Sequence, residues 1–248
     1  RDYWYSVARD AKNLESPETV GQHAARRSLR RLGSRKLSTR ECPILYEAPI
    51  ATSLLSHFVS AVRGTSLYRQ ASFLLDSIGK PIFADFVHIH EQPHLKGAQG
   101  SAAFDSEGVA TQPRDLIRDG ILQGYVLDSY SARKLKMQTT GNAGGVHNLT
   151  IDPGKDNLEG LITRMHTGLL VTELIGFGVN NITGDYSRGA AGFWVENGEI
   201  QYPVEEITIA GNLKDIFRRI KAVGSDVDTR GNIRSGSILI ENMTVAGS

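Results

Sequence analysis

The sequence predicts an α+β fold, a largely antiparallel β-sheet with packed helices. Two observations carry this. Strand-like segments outnumber helical ones along the 248 residues. Asp119-Gly120 and Asn197-Gly198 each sit at the centre of a β-rich run, where such pairs specify tight hairpins and therefore antiparallel neighbours.

In chain order, residues 16–33 read as a helix. Ser16 can cap it, Pro17 suits its first turn and Gly33 stops it, with Val20, Ala24, Leu29 and Leu32 on the buried side. Residues 44–46 read as a short strand. Pro49 opens a second helix over 49–63, with Ile50, Leu54, Leu55, Phe58, Val59 and Val62 at helical spacing and Gly64 at its end. Residues 82–89 are rich in β-formers and read as a strand. The two hairpins cover 115–127 and 193–202, and 169–174, 207–210 and 238–240 add further strands. Residues 157–165 and 212–223 read as helices, the second with Leu213, Ile216, Phe217 and Ile220 on one side. No internal repeat, low-complexity tract or linker divides residues 1–248. The opening Arg1-Asp2-Tyr3-Trp4-Tyr5 has no initiator Met and enters without a cap, so the chain reads as part of a longer protein.

Hydrophobic residues make up 40% and charged residues 22%, which suits a soluble globular protein. The net charge of +1 argues against a nucleic-acid partner, since duplex binders carry a basic excess. The basic run Arg26, Arg27, Arg30, Arg31, Arg35 and Lys36 reads as a solvated helix face. No stretch is long and apolar enough to span a bilayer, so no membrane partner is expected. Cys42 is the sole cysteine and reads as a structural thiol. With no disulfide to form, it fits a reducing, cytoplasmic setting. The Asn-x-Thr strings at Asn148, Asn181 and Asn242 read as chance.

His88-Ile-His90-Glu91-Gln-Pro-His94 contains a literal His-Glu-x-x-His string. That signature works only on a helix, and Pro93 breaks one there. The segment therefore reads as a polar strand end, with an adventitious metal site from His88, His90 and His94 as the alternative. No Gly-x-Ser-x-Gly occurs. Gly176-Phe-Gly178 starts a dinucleotide-like pattern that Asn181 does not complete. Residues 139–145, glycine-rich, read as a tight turn that could also wrap an anion through its backbone amides. Residues 180–192 gather Asp185, Tyr186, Ser187 and Arg188 among glycines, a loop in which Asp185, Tyr186 and Arg188 are candidate contacts for a substrate or partner.

Longer stretches carry a resemblance. Phe104-Asp-Ser-Glu-Gly-Val109, Leu116-Ile-Arg-Asp-Gly-Ile-Leu122, Ser131-Ala-Arg-Lys-Leu135 and Thr140-Gly-Asn-Ala-Gly-Gly145 resemble the shared core of the TldD/TldE metalloprotease family. Residues 183–204 and 207–215 are similar to its TldE side in particular. The resemblance covers nearly the whole chain and implies the family's C-terminal region, without its N-terminal domain. It also implies a cytoplasmic heterodimer in which a TldD-like subunit holds zinc through a His-Glu-x-x-x-His helix and a later cysteine. That complex digests unfolded peptides, among them antibiotic precursors and antitoxins, and its TldE subunit is required for activity. The corresponding helix here is 49–63, with Ser56 and Ala61 at the two histidine positions and His57 at the glutamate. Neither Ser56 nor Ala61 makes a zinc site, and His57 then reads as a structural remnant or as a group facing the helix surface. The expectation is no cofactor in this chain, no catalytic residue, and zinc in the TldD-like partner. An autonomous metallopeptidase with a different metal site, and a regulator associated with DNA gyrase, are the alternatives.

Overall fold

Residues 1–247 are described by a computed structural model. Its elements are α1 (Pro17–Arg30), β1 (Arg40–Tyr46), α2 (Ala48–Val62), α3 (Gly64–Tyr68), β2 (Ile89–Glu91), β3 (Arg114–Arg118), β4 (Ile121–Leu122), α4 (Ser129–Lys134), β5 (Leu149–Ile151), α5 (Leu158–Met165), β6 (Gly168–Ile175), β7 (Asp185–Glu196), β8 (Glu199–Asn212), α6 (Leu213–Arg218), β9 (Ile220–Val223), β10 (Ile233–Arg234) and β11 (Ile238–Ala246). The strands form two sheets. The larger runs β1-β6-β7-β8-β11-β9, and a further pairing of β1 with β11 joins its ends. Five strands thus close into a ring, with β9 alongside the first half of β11. Only β1–β6 is parallel in this sheet. The smaller sheet runs β10-β5-β2-β3-β4, and only β10–β5 is parallel. The fold is α+β and largely antiparallel, as the hairpins predict.

Both hairpins form where expected. Asp119 and Gly120 have φ of 51° and 72°, and Asn197 and Gly198 have 54° and 76°. Positive φ at both central residues matches strand twist and favours Asx-Gly. The second hairpin is far longer than its sequence signal: β7 and β8 pair from Glu196↔Glu199 out to Asp185↔Asn212.

Alternation along the central strands sends side chains to two apolar layers. Ile44, Tyr46, Leu169 and Val171 join the main core with Leu54, Leu55 and Phe58 of α2. Leu45, Leu170, Phe193 and Val195 face the other way, against Leu161, Ile162 and Met165 of α5. In the main core Phe83 and Phe217 stack at 4.5 Å, and Phe58 meets Phe83 edge-on at 5.2 Å.

Five expectations are corrected. Residues 82–89 do not form a strand. Ile82, Phe83 and Val87 are buried, but the amides of Ile82 and Phe83 go to Gly120 O and that of Ala84 to Phe217 O. Tertiary partners override β propensity there, and only Ile89 enters a strand. The helix over 212–223 stops at Arg218, because Ile220, Ala222 and Val223 pair with β11. The first helix ends at Arg30 and lies on the surface, with Leu29 64% and Leu32 72% exposed. Its inward edge is polar instead. Arg27 binds Asp2 and Glu47 at 3.0 Å, and Arg31 reaches Asp2 and Glu173, so these two members of the basic run are not solvated. Finally, residues 185–192 are not loop but the first two thirds of β7. Helix α2 runs as predicted, starting one residue earlier. Gly64 does more than end it: an added Cβ would lie 2.1 Å from Ser131 Oγ on α4. Among the described residues no helix is long and apolar enough to cross a membrane.

Candidate functional site

The helix that carries the degenerate metal motif, α2, packs against β6 of the ring and β10 of the smaller sheet. Its three motif residues diverge. Ser56 is exposed and donates to Thr52 O at 3.0 Å. Ala61 is fully buried in the core and offers no donor atom. His57 is half-buried and meets the Tyr186 ring edge-on at 6.0 Å. It is therefore not a surface group. Burial first, and the Arg188 charge second, lower its pKa and keep the imidazole neutral. Its Nε2 is buried without a hydrogen-bond partner among the described residues. One hydroxyl, one methyl and one such imidazole do not fit a zinc ion, which wants three or four convergent N, S or O donors.

Behind His57 the site is phenolic. Tyr186, 1% exposed, lies against Tyr46, with the two hydroxyls 3.4 Å apart. Burial raises both phenols' pKa values, so both stay protonated. Tyr186 thus belongs to the core and cannot itself be a surface contact. Two residues on, Arg188 Nε donates weakly to Ile175 O at 3.4 Å. Among the described residues Arg188 makes no ion pair. Asp185 is exposed, accepts from Thr183 Oγ1 at 2.6 Å and Asn212 Nδ2 at 3.1 Å, and does not pair with Arg188.

Arg188 lines a cavity of about 530 Å³ together with Ser53, Thr172, Arg27, Arg31 and Tyr3. Ser53 stands one helical turn before His57. Thr172, on β6, is 5% exposed and its Oγ1 has no partner among the described residues. Arg27 and Arg31 are neutralised by acids and Arg230 pairs with Asp228, whereas Arg188, like Arg1, lines the cavity without an ion pair among the described residues. The arrangement can bind an extended chain or a carboxylate. Ser53 and Thr172 carry no motif, and only the folded helix and strand bring them together.

The other sequence motifs are absorbed by structure. Glu91 of the His-Glu-x-x-His string is 2% exposed. It accepts from Arg114 Nε at 2.7 Å, His147 N at 2.8 Å and Asn142 Nδ2 at 2.9 Å. Residues 139–145 do not wrap an anion: one amide of the run reaches an internal carboxylate, Ala143 N donating to Asp105 Oδ2 at 2.9 Å, and the other amides on Asp105 come from Glu107 and Val109. Burial pushes the Asp105 pKa up, and amide donation from Ala143, Val109 and Glu107 outweighs it, so the carboxyl titrates low. Cys42 is buried, and desolvation pushes its thiol up to about 11, which makes it inert.

Comparison with known proteins gives one consistent assignment. Residues 39–247 match the family model described as the PmbA/TldA metallopeptidase C-terminal domain. The chain is 56% identical over its whole length to the metalloprotease PmbA of Escherichia coli O157:H7, and 51% to a Haemophilus influenzae homologue. In both cases it spans 55% of the relative's length, so it covers about half of the curated proteins it matches. Among solved structures, one from Bacteroides thetaiotaomicron, named as a candidate modulator of DNA gyrase, superposes with a TM-score of 0.95 at 34% identity, covering all of this chain and 56% of that one. TldE from Thermococcus kodakarensis superposes with a TM-score of 0.82 at 25% identity, covering 93% and 55%.

Proposed function

The chain belongs to the PmbA/TldD metallopeptidase family, matched through its C-terminal domain, and from that premise we propose that it serves as the non-catalytic partner subunit of a heteromeric, cytoplasmic zinc metalloprotease. The catalytic zinc sits in a TldD-like subunit, and the substrates are unfolded peptides, antibiotic precursors and antitoxins among them. The observation that supports this most is the chemistry of α2. Its motif positions hold Ser56, His57 and Ala61, and these converge on nothing a zinc ion could use. The fold is kept while the ligand set is gone, which fits a subunit that shapes a cavity and completes another subunit's site.

Arg188, with the unpartnered Thr172 hydroxyl beside the same cavity, is the group best placed to hold the carboxylate or backbone carbonyls of a peptide. The test is a peptide-hydrolysis assay of the full chain alone, of a TldD-like subunit alone, and of the two together. Turnover is expected only in the mixture, and Arg188→Ala is expected to lower it by roughly tenfold, the loss of one charge-assisted hydrogen bond. Hydrolysis by this chain alone, abolished by a chelator, would refute the reading. One observation favours that autonomous alternative: His88 and His90 lie close to an aspartate.

A further inference from the structure

Outside the α2 cavity, one cluster of side chains has the composition of a metal site. His88 stands just before β2 and His90 within it, two residues apart, so both side chains lie on one face of the strand. Their rings stack at 4.9 Å with planes 28° apart. Asp152 stands at the end of the neighbouring strand β5, fixed there by the register Ile89↔Ile151 and by donation from its own amide to His88 O at 3.0 Å. One Asp152 oxygen is 2.8 Å from His88 Nδ1 and the other 3.3 Å from His90 Nδ1. All three donor sets fall within 4.8 Å of one another. For comparison, the edge of a tetrahedron with bonds of about 2.1 Å is about 3.4 Å.

Two further features distinguish this cluster from a chance polar patch. First, His88 is held at both ring nitrogens, because Nε2 is 2.9 Å from Asp115 Oδ1. A neutral imidazole has one N–H and can donate to only one carboxylate. Either a second proton or a cation on Nδ1 satisfies both contacts; with a cation there, the Nε2–H donates to Asp115 and Asp152 becomes a ligand. A carboxylate behind a ligating histidine is the usual second-layer arrangement at such sites, and Arg118 in turn fixes Asp115. Second, His90 Nδ1 is buried and, although 3.3 Å from the Asp152 carboxylate, makes no hydrogen bond of acceptable geometry among the described residues. A buried nitrogen without a partner is costly, and a metal ion would give it one. His94, the third histidine of the sequence pattern, takes no part, since its Nε2 lies 3.2 Å from Thr111 Oγ1.

We propose that His88 Nδ1, His90 Nδ1 and the Asp152 carboxylate bind one divalent transition metal ion of the zinc class, clamping the start of β2 to the end of β5. Two imidazoles and one carboxylate select zinc, cobalt or nickel over magnesium or calcium, which prefer all-oxygen sites. Asp152 is about half exposed, so the fourth position opens to solvent. The role is to fasten the smaller sheet, whose strands β2 and β5 have only three residues each. The inference is independent of the subunit role proposed above. It revises the expectation of no metal in this chain and leaves the catalytic zinc with the partner.

The experiment is cobalt titration of the untagged full chain, expressed without a partner and stripped with a chelator. One cobalt per chain is expected, with visible d–d absorption that zinc abolishes by displacement. Asp152→Asn and His90→Gln should each abolish saturable binding, and Asp115→Asn, a positioning change, should weaken it by about 10–100-fold. Imidazole nitrogen shifts of the unaltered protein on zinc addition give a second readout that needs no variant to fold: signals of exactly two histidines should move. Uptake that never saturates, binding unchanged in both ligand variants, or zinc shifts on histidines other than His88 and His90 would each overturn the proposal.

Discussion

The two sheets hold themselves together differently. The ring sheet is long-stranded and apolar: β7 and β8 have 12 and 14 residues, and Ile44, Leu169, Val195 and Ile209 are wholly buried. The smaller sheet has no strand longer than five residues. It depends on buried polar hubs instead. Glu91 gathers Arg114, Asn142 and the His147 amide, Asp105 gathers three backbone amides, and the fully buried Asn148 bonds Gln92 O, Ser101 Oγ and the Gly100 amide. Apolar burial is non-directional and tolerates small changes of shape. A buried polar hub is all-or-none, since removing one member leaves the others desolvated and unpaired.

The largest expected effect is therefore at a hub. Glu91→Ala should cost about 3–5 kcal/mol in urea denaturation, because it leaves the Arg114 guanidinium and two further donors without their acceptor. A cost below about 1 kcal/mol, the range of an exposed ion pair, would mean that the short strands suffice without the hub. The matched change in the ring, Ile209→Val, removes one methylene from a core that can partly relax, and should cost only about 0.5–1.5 kcal/mol. A larger loss there than at Glu91 would reverse the comparison.

The smallest effect is a pH dependence, which sharpens the contrast at the boundary between helix α2 and the ring. The His57 pKa is lowered in the fold, by burial first and Arg188 second. Below the ordinary imidazole value of about 6.5 the unfolded chain binds a proton that the folded chain refuses. The contribution of His57 is thus present above about pH 6.5 and is lost as pH falls through the folded value. Urea midpoints of His57→Gln should decline less than those of the unaltered chain between about pH 7.5 and 5.5. Parallel declines would place the acid sensitivity elsewhere.

Much of this was legible in the residues. Asx-Gly at 119–120 and 197–198 fixed both hairpins, Pro17 and Pro49 marked the openings of α1 and α2, and Asn157 capped α5. The α2 motif positions could be seen to lack metal ligands, and long segments pointed to the family. What stayed hidden involved partners distant in sequence. Tyr186 and Arg188 sit two apart on β7, yet one enters the core and the other the cavity rim. Thr172, Ser53 and Arg188 meet only after α2 packs on the ring.

Sequence alone determined the local geometry, because turn chemistry, capping and side-chain periodicity act within a few residues of one another. Tertiary structure decided the closure of β1 against β11, the breakup of 82–89, the surface position of α1 and the replacement of His94 by Asp152 beside the two histidines. Each of those is a choice among long-range hydrogen-bond and packing partners. Local propensity differs by less than such partners contribute, so the fold, not the segment, settles the outcome.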